Sequence, residues 1–319
     1  MYYVSSIMYN EPMSKIIVTH NSPDLDAVSS SWLIKRYLPG WEDAEVVTVP
    51  AGGRLNTLHA EDDVIESLDG KEVIHVDTGM GPLDHHQTQD HDVCAAKRTL
   101  AYVLERSPEL QKNKHKSEAL RRFVECVVDD DHFQEVFYPD PAADFYEFSL
   151  VSLLSGIKVQ YPRDDETCLR FGFDLLDAAV LGMENRMWAE EELKEKGIEI
   201  TTPWGRGIAV ETLNDEVLKL AQLMGYVIAV RKDPKTGSVR IKARPPMRKI
   251  TKDAKKEGIY NDVDVDLTPV YEKLVKMDPT ASWFLHVGKR MLLNGSSKNP
   301  QMKGSKLTLP EVVEVLQNL

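Results

Sequence analysis

The sequence predicts an α/β protein, with a mainly parallel sheet flanked by helices over residues 1–190 and a smaller α+β domain over 191–319. Three observations point there. In the first half, short β-rich apolar runs alternate with stretches of helical periodicity, a pattern that needs crossover connections. After residue 196 the grammar changes to alternating strands around tight turns. Charge divides the same way: the chain is −12 overall, yet from Gly225 to Leu319 it carries 18 Lys and Arg against 10 Asp and Glu, a net of +8, which leaves −20 elsewhere.

Lys15-Ile-Ile-Val-Thr19 reads as a strand ending at His20, and Asn21-Ser-Pro-Asp24 as a turn. Asp26 onward reads as a helix to Leu38, with Val28, Trp32 and Leu33 near one face and Pro39-Gly40 as a stop. Ala44–Val49 is a second strand, closed by Pro50-Ala-Gly-Gly53. Glu72–Val76 is a third, with Asp77 at its carboxyl end. In such sheets ligands gather outside the carboxyl ends of the strands, so His20 and Asp77 are expected at one rim. Cys94–Glu105 and Ser117–Val128 read as helices, the second running into Asp129-Asp130-Asp131-His132. Acidic residues at a helix C-terminus oppose its dipole unless a cation compensates. Glu166–Lys196 is strongly helical and closes the first domain.

In the second domain, Gly197–Thr202 and Gly207–Thr212 flank the turn-like Pro203-Trp-Gly-Arg206, and Asp215–Met224 is a short helix. Tyr226–Val230 and Val239–Ala243 form a hairpin around Asp233-Pro-Lys-Thr-Gly237, with Arg240, Lys242 and Arg244 alternating onto one face. A final helix covers Leu309–Leu316.

Cys94, Cys126 and Cys168 are odd in number and lack a CxxC spacing, which argues against a disulfide framework or a structural zinc site and fits a reduced compartment. No run approaches the roughly 18 apolar residues needed to cross a bilayer, and the N-terminus lacks a basic region followed by an apolar one. A cytoplasmic location is expected. The negative total disfavours a tight grip on long DNA, whereas a local basic face suits a small anion.

The chemistry-bearing residues are His20, Asp24, Asp26, Asp77, Asp84, His85, His86 and one Asp of 129–131. A turn can direct His20, Asp24 and Asp26 into one cleft. About two imidazoles and four carboxylates, with no thiolate, suit Mn²⁺ above all, with Mg²⁺ or Co²⁺ as alternatives. So many carboxylates suit two ions sharing one of them.

Thr19-His-Asn-Ser-Pro-Asp-Leu-Asp-Ala27 resembles motif I of the DHH phosphoesterase superfamily, Val76-Asp77 resembles motif II, Leu83-Asp84-His85-His86 motif III, and Val127–Phe133 motif IV. The superfamily includes RecJ-like exonucleases, nanoRNases, cyclic-dinucleotide phosphodiesterases and family-II pyrophosphatases. The resemblance implies a two-domain hydrolase using Mn²⁺. It makes His20, Asp24, Asp26, Asp77, His86 and Asp130 the metal ligands, with Asp129 and Asp131 as rivals of Asp130, and has Asp77 bridge the ions. Asp84 and His85 then take catalytic roles, a carboxylate orienting an imidazole and an acid near the leaving group. Motifs II and III lie close together here, as in DHH-like nucleases with a closely following Asp-His-His-Gln. The family's C-terminal Gly-Gly-Gly-His signature is absent. Its nearest analogues are His286–Arg290 and Asn294–Lys298, so Arg240, His286, Lys289, Arg290 and Lys298 are the expected substrate contacts. The expected activity is two-metal hydrolysis of a phosphodiester or phosphomonoester in a small nucleotide or short oligonucleotide. The alternatives are a pyrophosphate or polyphosphate hydrolase and a non-catalytic metal- or nucleotide-binding regulator; a homodimer stays open.

Overall fold

A computed structural model describes residues 14–55, 63–246, 263–295 and 299–319. The chain divides into two compact units, Met1–Glu184 and Asn185–Leu319.

The first unit is built on four strands, β1 (Lys15–His20), β2 (Glu45–Val49), β3 (Glu66–Leu68) and β4 (Lys71–His75), in the order β2-β1-β4-β3. β1 runs parallel to β2 and to β4, but β3 is antiparallel to β4. The sheet is therefore mixed, with two parallel pairings and one antiparallel. The reason is local: Asp69-Gly70, both at positive φ, turn the chain straight back from β3 into β4, and so short a link permits only antiparallel pairing. β1 reads as an uninterrupted apolar run because both its faces are covered. Ile16 and Val18 join Val49 and Val73 on one face, while Ile17 is fully buried on the other.

Helix α1 (Leu25–Tyr37) packs on β1, on α2 (Ala95–Arg106) and on α4 (Lys114–Asp131), and the short α3 (Pro108–Lys112) joins the last two. Trp32, Leu33 and Ile34 are fully buried in α1. Trp32 Nε1 donates to Asp177 Oδ1 at 2.8 Å, tying α1 to α6 (Asp165–Lys196). Between α4 and α6, 3₁₀ turns at Gln134–Phe137 and Asp144–Phe148 precede α5 (Leu150–Gln160), a region without a clear sequence signal.

The second unit is a six-stranded mixed sheet of β5 (Ile198–Thr202), β6 (Gly205–Glu211), β7 (Ile228–Lys232), β8 (Val239–Ala243), β9 (Phe284–Leu285) and β10 (Met291–Leu293), ordered β5-β6-β7-β8-β10-β9. β7 and β8 pair antiparallel, as the alternation predicts. Strand period two separates two cores: Ile228 and Val230 face a cluster with α8 (Thr268–Met277) and α9 (Leu309–Gln317), while Ala229 faces α7 (Glu216–Leu223). Among the described residues no helix is long and apolar enough to cross a membrane.

Ile17 lies in the β1 core with no exposed surface. Ile17→Ala is expected to cost about 2–5 kcal/mol of stability, read from urea unfolding. A loss below about 1 kcal/mol would show that the site is poorly packed.

Candidate metal centre

Sequence-local chemistry places the first residues. Asp24 caps α1 by accepting from the Ala27 amide at 3.0 Å, and Asp26 sits in that helix's first turn, where a carboxylate complements the dipole. Asp26 is buried, and its oxygens accept the Ala95 and Ala96 amides at the start of α2, at 2.7 and 2.6 Å. It therefore fixes two helix N-termini at once. The parallel pairing of β1 with β4 sets His20 beside Asp77, with His20 Nε2 and Asp77 Oδ2 3.1 Å apart.

Two triads result. In the first, His20, Asp24 and Asp77 converge, with His20 Nε2 3.5 Å from Asp24 Oδ2. His20 Nδ1 bonds to Asn21 O at 2.9 Å, which directs Nε2 to the carboxylates. In the second, His85 Nε2 lies 3.6 Å from both Asp26 Oδ2 and Asp131 Oδ2. Asp77 reaches both triads, since its Oδ1 is 3.5 Å from His85 Nε2 while Oδ2 faces His20. His86 Nδ1 also lies 3.8 Å from Asp77 Oδ1.

Asp77 Oδ1, His85 Nε2 and Asp131 Oδ2 are buried and have no hydrogen-bond partner among the described residues. Buried polar atoms are rarely left so, and these three face one another. Imidazole and carboxylate donors without a thiolate fit a hard-to-borderline divalent cation. The residues present therefore fit a divalent cation, and His20, Asp24, Asp26, Asp77, His85, His86 and Asp131 are the residues that could hold it.

Two expectations change. The last ligand was placed at Asp130, yet it is Asp131 that turns into the cluster, because consecutive residues near a helix end point about 100° apart. Asp130 lies beside Glu135, and burial, with Glu135 next, pushes its carboxyl up to about 7. Second, His85, expected to be catalytic, also presents its nitrogen to the buried carboxylates, while His86 stays a candidate ligand beside it in a group with Asp77 and His85. His86 stands at the rim, its side chain 58% exposed, with Nδ1 bonded to Asp84 Oδ1 at 2.7 Å. Asp84 is fully buried and also accepts the Met80 amide at 2.7 Å. Burial raises its pKa, but these bonds, His86 first, bring it below the usual carboxylate range.

The electrostatics favour a cation. Burial, reinforced by Asp77 and Asp131, pushes the Asp26 carboxyl well above its usual range, and burial raises Asp131 as well. Burial opposes charge on His20, but hydrogen bonding to Asp24 and Asp77 outweighs it and takes the imidazole up to about 11. The Asp77 carboxylate, against burial and with help from Asp131 and Asp26, takes His85 to about 9.

The substrate contacts expected in the second unit are held by its own acids. Arg240 pairs with Asp215, Lys289 with Asp266 at 2.6 Å, and Arg290 with Asp264 at 3.3 Å and with the Arg244 and Val263 carbonyls. His286 Nδ1 accepts the Gly288 amide at 3.1 Å. Lys298 lies outside the described residues. Sequence reasoning did not find Arg98, whose Nη1 donates to Asp84 O at 2.6 Å, or Lys158, whose Nζ donates to Ser22 O at 3.1 Å. Neither carries a local signal, since each works on a backbone carbonyl distant in sequence.

Asp131→Asn is expected to weaken Mn²⁺ binding by more than about 100-fold, beyond the loss typical of an outer partner, while Asp130→Asn leaves it within a few-fold. Calorimetric titration of the two variants checks this, and equal losses would reject the assignment. Because His20 and His85 are raised, both hold protons at neutral pH, and an ion must displace them. Mn²⁺ uptake should therefore release protons and tighten between about pH 6 and about pH 8. Calorimetry in buffers of different ionisation enthalpy measures the release; buffer-independent heats would contradict it.

No family model matches the chain, and no curated protein matches it. Among solved structures, a crystal structure of an uncharacterized protein from Helicobacter pylori G27 is similar over 97% of this chain and 100% of that chain, at 13% identity and a TM-score of 0.31.

Proposed function

We propose that this protein is a cytoplasmic, two-domain Mn²⁺-dependent phosphoesterase of the DHH type, hydrolysing a phosphodiester or phosphomonoester of a small nucleotide or short oligonucleotide. One observation carries the reading: the two oxygens of a single buried carboxylate, Asp77, face two different triads of metal-type donors. A carboxylate shared in this way suits two ions side by side. Such a pair supplies an activated water and neutralises charge on the attacking and leaving oxygens of an in-line displacement.

The chain's own residues would do the rest. Asp77 and Asp26, both buried, would keep bulk water from the ions. Asp84 orients the His86 ring through Nδ1, which leaves Nε2 directed away from that bond. A half-exposed, carboxylate-oriented imidazole at the rim is suited to hand a proton to a leaving oxygen. The role given to His85 by the sequence thus passes to His86. The three free cysteines are in keeping with a reduced compartment.

The test is a panel of bis(p-nitrophenyl) phosphate, dinucleotides, two- to five-nucleotide RNA and pyrophosphate, with Mn²⁺ present. Turnover of a nucleotide ester is expected. Asp77→Ala should lose metal and activity together, whereas His86→Ala should lose about 10²–10⁴-fold in kcat with metal retained. Turnover of pyrophosphate alone would move the protein to phosphoanhydride hydrolysis. No turnover with metal bound would make it a regulator.

A further inference from the structure

The loop from Asp77 to Asp84 follows an unusual path. Asp77 has φ 53°, Gly79 φ 79° and Met80 φ 59°, all in the left-handed region that residues with a Cβ rarely adopt. Such a path persists only when its surroundings over-determine it.

Arg54, on the turn after β2 and only 10% exposed, supplies that determination. Its Nη1 donates to the Gly79 carbonyl at 2.6 Å, and its Nη2 pairs with Glu66 of β3. Its stem lies against Gly79 so closely that a Cβ there would meet Arg54 Cγ at 2.8 Å. Behind it, the Leu55 amide donates to His75 Nε2 at 3.1 Å, so the ring proton sits on Nδ1, which donates to Glu66 Oε1 at 3.2 Å. Beside it, Thr78 Oγ1 donates to the Gly53 carbonyl at 3.0 Å.

Packing alone does not account for this. A buried Arg–Glu pair loses solvation that an apolar pair of the same size would not. Here Arg54 Nε and Glu66 Oε2 are even left without partners among the described residues. What an apolar pair could not do is span a carboxylate and a backbone carbonyl with one planar fork.

We propose that Arg54, oriented by Glu66 and His75, is a positioning residue that holds the Asp77–Asp84 loop in its left-handed path and so keeps the two oxygens of Asp77 divided between the two triads. The inference rests on Asp77 being the shared metal ligand.

The experiment titrates Mn²⁺ into the full-length wild type, Arg54→Lys and the double variant Arg54→Met/Glu66→Met, and follows nucleotide-ester hydrolysis. Lys keeps the charge against Glu66 but lacks the fork; the double variant removes both buried charges together. Both should weaken Mn²⁺ binding by about 10–100-fold, the range for an outer partner of a ligand. Both should lower kcat with KM nearly unchanged and melt close to the wild type. Wild-type Mn²⁺ affinity and kcat in both variants would overturn the brace while leaving the metal reading intact. Failure of both to fold would also overturn it, by making the network a stability element. A wild-type protein that takes up no Mn²⁺ would sink the reading of Asp77 as a ligand, and this inference with it.

Discussion

Asp26, Asp77 and Asp131 each bring a carboxylate to His85 Nε2, at 3.6, 3.5 and 3.6 Å. Like charges gathered in a buried place repel and lose solvation together, so such an arrangement stands only when protons or a cation neutralise it. The neighbouring carboxylates accordingly raise the pKa values of His20 and His85, and burial raises those of Asp26 and Asp131. A divalent ion would replace several of these compromises at once. Asp77 Oδ1, His85 Nε2 and Asp131 Oδ2 are buried there without hydrogen-bond partners among the described residues.

Much of the first unit serves that convergence. β1 and β4 run parallel and adjacent, so their carboxyl ends bring His20 and Asp77 to one rim. Asp26 joins the N-terminus of α1 to that of α2 through the Ala95 and Ala96 amides. α4 ends in the acidic run that delivers Asp131. Arg54 and Arg98 grip the backbone of the loop between motif-like Asp77 and His86, one at Gly79 and the other at Asp84.

The second unit handles charge differently. Its excess of base is real in the sequence, yet Arg240, Lys289 and Arg290 are each matched to a nearby carboxylate. Exposed ion pairs of this kind are worth little, about 0–1 kcal/mol. They can therefore give way to a stronger anion such as a phosphate group.

Local chemistry made several features legible from sequence. The β1 and β4 runs, the helix starting beside Asp24, the hairpin around Asp233–Gly237 and the acidic and histidine residues of the centre all rest on neighbours within a few positions. β3, three residues long, and α5 carried no comparable signal. The alternation suggested a mainly parallel sheet, and the edge strand β3 made it mixed. The sequence by itself determined which residue types would gather, because the strand ends and helix starts that carry these Asp and His residues are set by neighbours within a few positions. Tertiary structure alone decided which of them turn inward. Asp130 and Asp131 are chemically identical neighbours, and only the helix rotation of α4 sends Asp131 into the cluster and leaves Asp130 beside it. The contact of Arg54 with Gly79 in the Asp77–Asp84 loop likewise spans 25 residues of chain, which no local pattern encodes.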